Sequence, residues 1–215
     1  MLNTLSGRFL VLTVVFVMLA EVLIFVPSVA RFRQDYLLLR LERAQIASLS
    51  LLADDMISED LEKELLKNAG VFNVVLRRDE VRQLILSSHV PGPVEATYDL
   101  RGASAWALMR DAMMTLFEPG EPVIRVIGMP VQGGGQEIEV TMEQAPLRAA
   151  MIDYGLNILM LSAVISIITA ALLFVAVGAF LVKPIKGVVG HMQSYAMAPE
   201  DARRIIAPTA GLIEL

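Results

Sequence analysis

Cysteine is absent from this 215-residue chain, and histidine occurs only twice. Without thiolates, the chain can form neither disulfide bonds nor cysteine-ligated metal sites. His89 stands before Val90-Pro91 in a predicted loop and has no second metal ligand at a usual spacing. The sequence therefore predicts no metal site, and the missing cysteine indicates no particular compartment.

An excess of positive charge is also missing. The formal net charge is −5, and residues 31–154 carry 13 basic and 19 acidic side chains. Surfaces that bind nucleic acid through its phosphates are normally basic. We therefore expect no nucleic acid among the partners of this chain.

The chain has no recognisable nucleotide-binding loop. Gly133-Gly134-Gly135 is not followed by Lys and Ser or Thr, so we interpret it as a turn between two strands. No other ATP-binding motif occurs. We predict no catalytic residues and no bound cofactor within these 215 residues.

Hydrophobic residues make up 55% of the chain, and their excess lies in two runs. Residues 155–182 include no ionisable side chain over 28 positions, and residues 9–30 include only Glu21. At a rise of about 1.5 Å per residue, each run is long enough to cross a bilayer core of about 30 Å. We predict transmembrane helices at 9–30 and 155–182, with residues 1–8 as a cytoplasmic tail.

The first run has an alternative interpretation as a cleavable signal peptide, because Ser28-Val29-Ala30 offers small residues at a suitable spacing. The run is longer than the apolar region of such peptides, and the helical pattern continues beyond it. An uncleaved first span is therefore the prediction.

Residues 31–154 have an ordinary globular composition and are numerous enough for one domain with its own core. Ser58 is placed to cap a helix that Gly70 would end. Glu137, Glu139 and Thr141 alternate with apolar residues, as in a half-buried strand. We predict a mixed α/β domain with helices at 31–54, 58–69, 103–117 and 144–154, and strands at 71–76, 81–88, 123–131 and 137–142.

The residues after the second run have a helical seam. Lys183-Pro184-Ile185-Lys186 follows the run directly, and Ile185, Val188, Val189, Met192 and Tyr195 then recur at helical spacing. Pro184 suits the first turn of a helix. An acidic connector with Arg204-Ile205 comes next, and Glu214 stands where a second helix would start.

This pattern resembles a HAMP domain, a dimeric four-helix relay of bacterial receptors, over residues 183–215. The resemblance implies relay roles for Pro184, Ile185, Val189, Met192, Ile205 and Glu214. The second helix is cut off at Leu215, so we expect the HAMP-like domain to be incomplete here.

The whole layout resembles the sensory half of a bacterial sensor histidine kinase, with residues 31–154 as a PAS-like periplasmic sensor domain. The resemblance implies a homodimer in the inner membrane, an unknown periplasmic ligand or stimulus, and a response regulator as partner. ATP and Mg would belong only to a kinase core outside this segment. His191-Met192-Gln193 does not match a phosphoacceptor motif. A chemoreceptor, a nucleotide cyclase or a membrane-anchored binding module remain alternatives.

Two groups of polar residues are candidate sites. Glu21 lies inside the first predicted span, where a carboxylate is costly, and Ser166 and Thr169 lie at about the same depth of the second. We predict that Glu21 faces these hydroxyls or a second Glu21 in the dimer. Arg77, Arg78 and Arg125 are candidate contacts for an anionic ligand.

Overall fold

The structure is a computed structural model, and it describes residues 5–53, 58–78, 81–130 and 135–197. It divides into two compact units, Met1–Met160 and Leu161–Leu215. In chain order the elements are α1 (Leu5–Ala53), α2 (Glu59–Ala69), β1 (Asn73–Arg78), β2 (Val81–Ser87), β3 (Val94–Asp99), α3 (Ala105–Phe117), β4 (Val123–Gly128), β5 (Glu137–Glu143), α4 (Ala145–Val177), a π-helix (Gly178–Val182) and α5 (Lys183–Met197).

The first helix, α1, is 49 residues long and has two different halves. Most of its described apolar side chains before Phe25 are exposed, including Phe16, Leu19 and Leu23. Beyond this point buried residues recur every three or four positions, at Val29, Arg33, Leu37, Leu41, Ala44 and Ser48, and Ala30, Gln45 and Ala47 beside them are also buried. That spacing places them on one stripe of the helix. The predicted continuation of the first apolar run into a long helix is confirmed.

Helix α2 has the two caps predicted from the sequence. The Ser58 hydroxyl accepts a hydrogen bond from the Leu61 amide, and Gly70 adopts a left-handed conformation with φ of 68°. The Gly70 amide closes the last turn by donating to the Lys67 carbonyl. Arg40 of α1 holds this end of α2, because its guanidinium donates to the Ala69 carbonyl at 2.9 Å.

The five strands form one sheet in the order β2-β1-β5-β4-β3. Neighbouring strands are antiparallel, except that β3 pairs with β4 in parallel. The β1–β2 hairpin and the β4–β5 pair agree with the strands predicted from the sequence. Strand β3 was not predicted, although Val94, Ala96 and Tyr98 alternate with more exposed neighbours.

Helix α1 covers one face of this sheet, with contacts to β1, β2, β4 and β5. The core on that face includes Val74, Val126, Val140 and Met142 from the strands and Leu37 from α1. The opposite face carries Arg125, Glu137 and Glu139, which are half-buried. The first unit is thus an α/β domain with a helical layer on one side of a mixed sheet.

Helix α3 connects β3 to β4 and packs against α1. Ser104 caps it by accepting a hydrogen bond from the Ala107 amide. Glu118-Pro119-Gly120 follows Phe117, which confirms the predicted helix break. This βαβ connection is what allows β3 and β4 to be parallel.

The second unit is helical throughout its described residues, which end at Met197. The last part of α4 leads into the five-residue π-helix and then into α5. Pro184 has no amide hydrogen, and its ring would clash with the carbonyl four residues earlier in a regular α-helix. The π-helix, whose turn is wider, occupies residues just before this position and ends at Val182.

Two stretches, Val14–Leu49 and Ala145–Gly190, are long and apolar enough by length and composition to cross a membrane. The most apolar part of each is almost wholly exposed within the chain. The mixed α/β sheet with helices and the two long apolar helices confirm the coarser part of the predicted fold class, whereas two spans flanking a PAS-like domain stay a prediction.

Candidate functional site

A buried arginine lies between α1, α3 and β3. Arg33 is only 1% exposed, although it stands just three residues after the first predicted span. Its Nε donates to the Thr115 hydroxyl of α3 at 3.1 Å. Its guanidinium carbon lies 4.1 Å from the centre of the Tyr98 ring on β3, a cation–π contact. We call Arg33, Tyr98, Asp111 and Thr115 the arginine site.

The charge of Arg33 is poorly compensated. Burial lowers the pKa of its guanidinium, and the nearby Tyr98 and Asp111 oppose this shift. Asp111 itself accepts hydrogen bonds from the neighbouring Arg110 at 2.9 and 3.0 Å. Among the residues that the structure describes, the Nη2 atom of Arg33 has no hydrogen-bond partner.

The last turn of α3 is held by arginines from two other helices. Arg33 of α1 donates to Thr115, and Arg148 of α4 donates to the Leu116 carbonyl at 3.2 Å. Cations suit this position because the end of a helix presents unpaired carbonyls and a partial negative charge. The two long helices are therefore tied to adjacent residues of a third.

Helices α1 and α4 also touch each other directly where they leave the domain. The rings of Phe32 and Tyr154 are stacked, with centroids 4.3 Å apart and an angle of 12° between the planes. At the next residue of α4, a Cβ atom at Gly155 would lie 3.2 Å from the Phe25 ring. Glycine thus permits a close approach, and we call these four residues the helix junction.

The two described side chains among the arginines predicted as ligand contacts, Arg77 and Arg125, each lie beside a glutamate of β5. Arg77 of β1 is exposed and pairs in register with Glu137 of β5. Arg125 of β4 lies 3.8 Å from the Glu139 carboxylate. The side chain of Arg78 lies outside what the structure describes.

The face of the sheet opposite α1 carries several ion pairs. Arg101 contacts both Asp99, at 2.6 Å, and Glu137. Hydrogen bonds from the Arg101 side chain, and then from its amide, lower the pKa of Asp99 to about 2. These contacts are exposed and contribute little to stability.

The predicted intramembrane residues lie on the two apolar helices. Glu21 is half-buried on α1, Ser166 is half-buried on α4, and Thr169 is exposed on α4. The contact predicted between Glu21 and these hydroxyls stays a prediction.

The predicted relay residues lie partly within the described chain. Pro184 is the second residue of α5, and Ile185, Val189 and Met192 are 58%, 46% and 65% exposed within the single chain. Such a stripe has no partner in its own unit over the described residues. Ile205 and Glu214 lie outside the described part of the chain.

No group of three or more potential metal-ligating side chains occurs in the described ranges. In comparisons with known proteins, no family model, no curated protein and no solved structure matches this chain. The functional interpretation therefore depends on the residues and their contacts.

Arg33 was missed as a site residue because the sequence shows only a charge just outside an apolar run. Such charges usually mark the orientation of a span. One signal was present in the sequence, since Arg33 falls on the same helical stripe as Leu37 and Leu41.

Proposed function

We propose that this chain is the sensory and relay portion of a sensor histidine kinase in the bacterial inner membrane. The α/β domain would be a PAS-like sensor outside the membrane, between two spans. Residues 183–215 would form a HAMP-like relay on the cytoplasmic side. The output would be a kinase core acting on a response regulator.

The observation that carries this proposal is the difference in burial between the two halves of α1. One uninterrupted helix has an exposed apolar half and a half buried in the core of the α/β domain. A simple membrane anchor needs no such continuity. A receptor does, because a rigid helix passes a displacement at one end to the other.

The contacts of α3 and the helix junction suit the same role. Arg33 and Arg148 tie α1 and α4 to adjacent residues of α3, and Phe32 stacks on Tyr154 beside this point. A shift of α3 would therefore act on both long helices. Such a shift would select between two arrangements of the spans, as a two-state relay requires.

The relay itself requires a second copy of the chain. Ile185, Val189 and Met192 are exposed and lie at i, i+4 and i+7, the spacing of a narrow seam between helices. Burial of this seam in a parallel bundle would give α5 a partner. The proposal is thus a homodimer in the lipid bilayer.

Cysteine crosslinking in membranes tests this proposal, and the native chain has no cysteine to interfere. Single cysteines at Ile185, Val189 and Met192 should give disulfide-linked dimers, whereas Lys186 and Gly190 are control positions on α5. We expect crosslinking to peak at the seam and to fall at the controls. A flat profile along α5 would contradict the dimeric relay.

A further inference from the structure

The arginine site has one positive charge too many for its surroundings. Arg33 is buried, and the carboxylate that acts on its charge, Asp111, is paired with Arg110. These three groups together leave one uncompensated positive charge. The Nη2 donor of Arg33 is also unused among the described residues.

Both features are unfavourable in the interior of a protein. Burying a guanidinium is costly unless it is paired, and a buried donor without an acceptor adds the cost of its lost hydration. Thr115 and the Tyr98 ring offset only part of this cost, because neither carries a negative charge. A ligand that supplies both an acceptor and a negative charge would correct both deficits.

The surroundings define the chemistry of that ligand. A planar oxyanion matches the fork of the guanidinium and can accept from Nη2. A monoanion would balance the single excess charge, whereas a dianion would add a new one beside Asp111. The buried core includes Leu37, one turn along α1 from Arg33, and Ala112, three positions before Thr115 on α3, which favours a carboxylate with a short hydrocarbon part.

We propose that the arginine site binds a small monocarboxylate, with Arg33 as its anchor. The Nη2 atom of Arg33 donates to the carboxylate, and Thr115 and Tyr98 keep the guanidinium in place. Because Arg33 also holds the last turn of α3, occupation of the site changes the connection between α1 and α3. This consequence for signalling rests on the proposed function, but the binding does not.

The test is thermal unfolding of the full 215-residue protein in lipid nanodiscs, with sodium acetate as probe. Sodium chloride at equal ionic strength is the reference. A ligand that binds only the folded state stabilises it, so acetate at several times its Kd should raise Tm by about 2–4 °C over chloride. The shift should saturate with acetate concentration, unlike a general salt effect.

The variant Arg33→Gln should lose the acetate shift, because it removes the charge and the donor fork. Arg125→Gln is the matched control, since Arg125 is an arginine of the opposite sheet face with Glu139 beside it. It should keep the shift of the wild type. If Arg33→Gln does not fold, Arg33→Lys is tested in its place. We expect Arg33→Lys to lose at least half of the rise in Tm that acetate gives in the wild type.

Several results would overturn the proposal. One is an equal Tm of the wild type in acetate and in chloride. Another is an acetate-dependent rise in Tm that persists in the Arg33 variant used. A third is loss of this rise in Arg125→Gln. Sulfate stabilises proteins in general. Its specific effect is therefore the Tm shift of the wild type in sulfate minus the Tm shift of the Arg33 variant in sulfate. A sulfate difference equal to that of acetate would refute the preference for a monocarboxylate. None of these measurements depends on the orientation of the spans.

Discussion

At Gly70, a left-handed backbone conformation and a close tertiary contact coincide. Its φ of 68° is left-handed, and Arg40 Nη1 lies 1.9 Å from where a Cβ atom would be. Arg40 uses that position to donate to the Ala69 carbonyl and to reach the Tyr36 hydroxyl at 2.8 Å. The end of α2 is therefore fastened to α1 at a point that only glycine fits.

Replacing Gly70 with alanine should lower the free energy of unfolding by about 1–3 kcal/mol. The left-handed conformation becomes costly, and the Arg40 side chain must move away from α2. The urea midpoint of the purified protein, followed by circular dichroism, measures the loss.

Gly102→Ala is the control for this substitution. Nothing lies within 4 Å of a Cβ atom at Gly102. The free energy of unfolding of the Gly102→Ala variant should be unchanged or slightly raised, because alanine restricts the conformations of the unfolded chain. Equal midpoints for the Gly70 and Gly102 variants would show that the contact with Arg40 has no weight.

Single residues differ in how far the sequence predicts them. Ser58 and Gly70 were predicted as caps because capping depends on neighbours within one turn, which the sequence displays. The role of Arg33 depends on Tyr98 and Thr115, which are 65 and 82 residues away in the chain. No local pattern contains that information.

At the scale of elements, the local sequence was sufficient to predict β4 and β5 but not β3. Strands β4 and β5 contain buried apolar residues at most positions facing α1. Strand β3 lies at the edge of the sheet, and its inward residues are only half-buried. An edge strand needs less apolar character, so Ala96 and Thr97 gave a weak signal.

The contact between the two predicted spans is a prediction about helices α1 and α4. Glu21 on α1 should form a hydrogen bond with Ser166, Thr169 or a second Glu21, contributing about 0.5–2 kcal/mol to packing. Glu21→Gln keeps a polar group and should leave the basal kinase output of the proposed full receptor near normal. Glu21→Leu should still insert in the membrane but shift that output.

The comparison is made at equal amounts of protein in the membrane, by reading phosphorylation of the response regulator. The Gln variant serves as the matched control for the Leu variant. Equal outputs from wild type, Gln and Leu would indicate that Glu21 faces lipid and takes no part in the relay.

At the scale of the whole molecule, two long apolar helices begin and end one α/β domain. The contacts of Arg33, Arg148, Phe32 and Tyr154 join these helices through α3 and through each other. The sequence predicted two spans and a domain between them, because long apolar runs are visible without tertiary information. It did not predict that α3 would connect the helices, since that depends on contacts between distant segments.

The central proposal is that the α/β domain and α5 lie on opposite sides of a membrane. Thiol labelling of intact cells, with the outer membrane permeabilised, tests it most directly. Gly102→Cys and Gly187→Cys are suitable positions, because both are exposed and neither has an atom within 4 Å of a Cβ. The proposed arrangement predicts that a membrane-impermeant maleimide labels the cysteine at position 102 in intact cells and the one at 187 only after lysis. Labelling of both positions, or of 187 alone, in intact cells would contradict it.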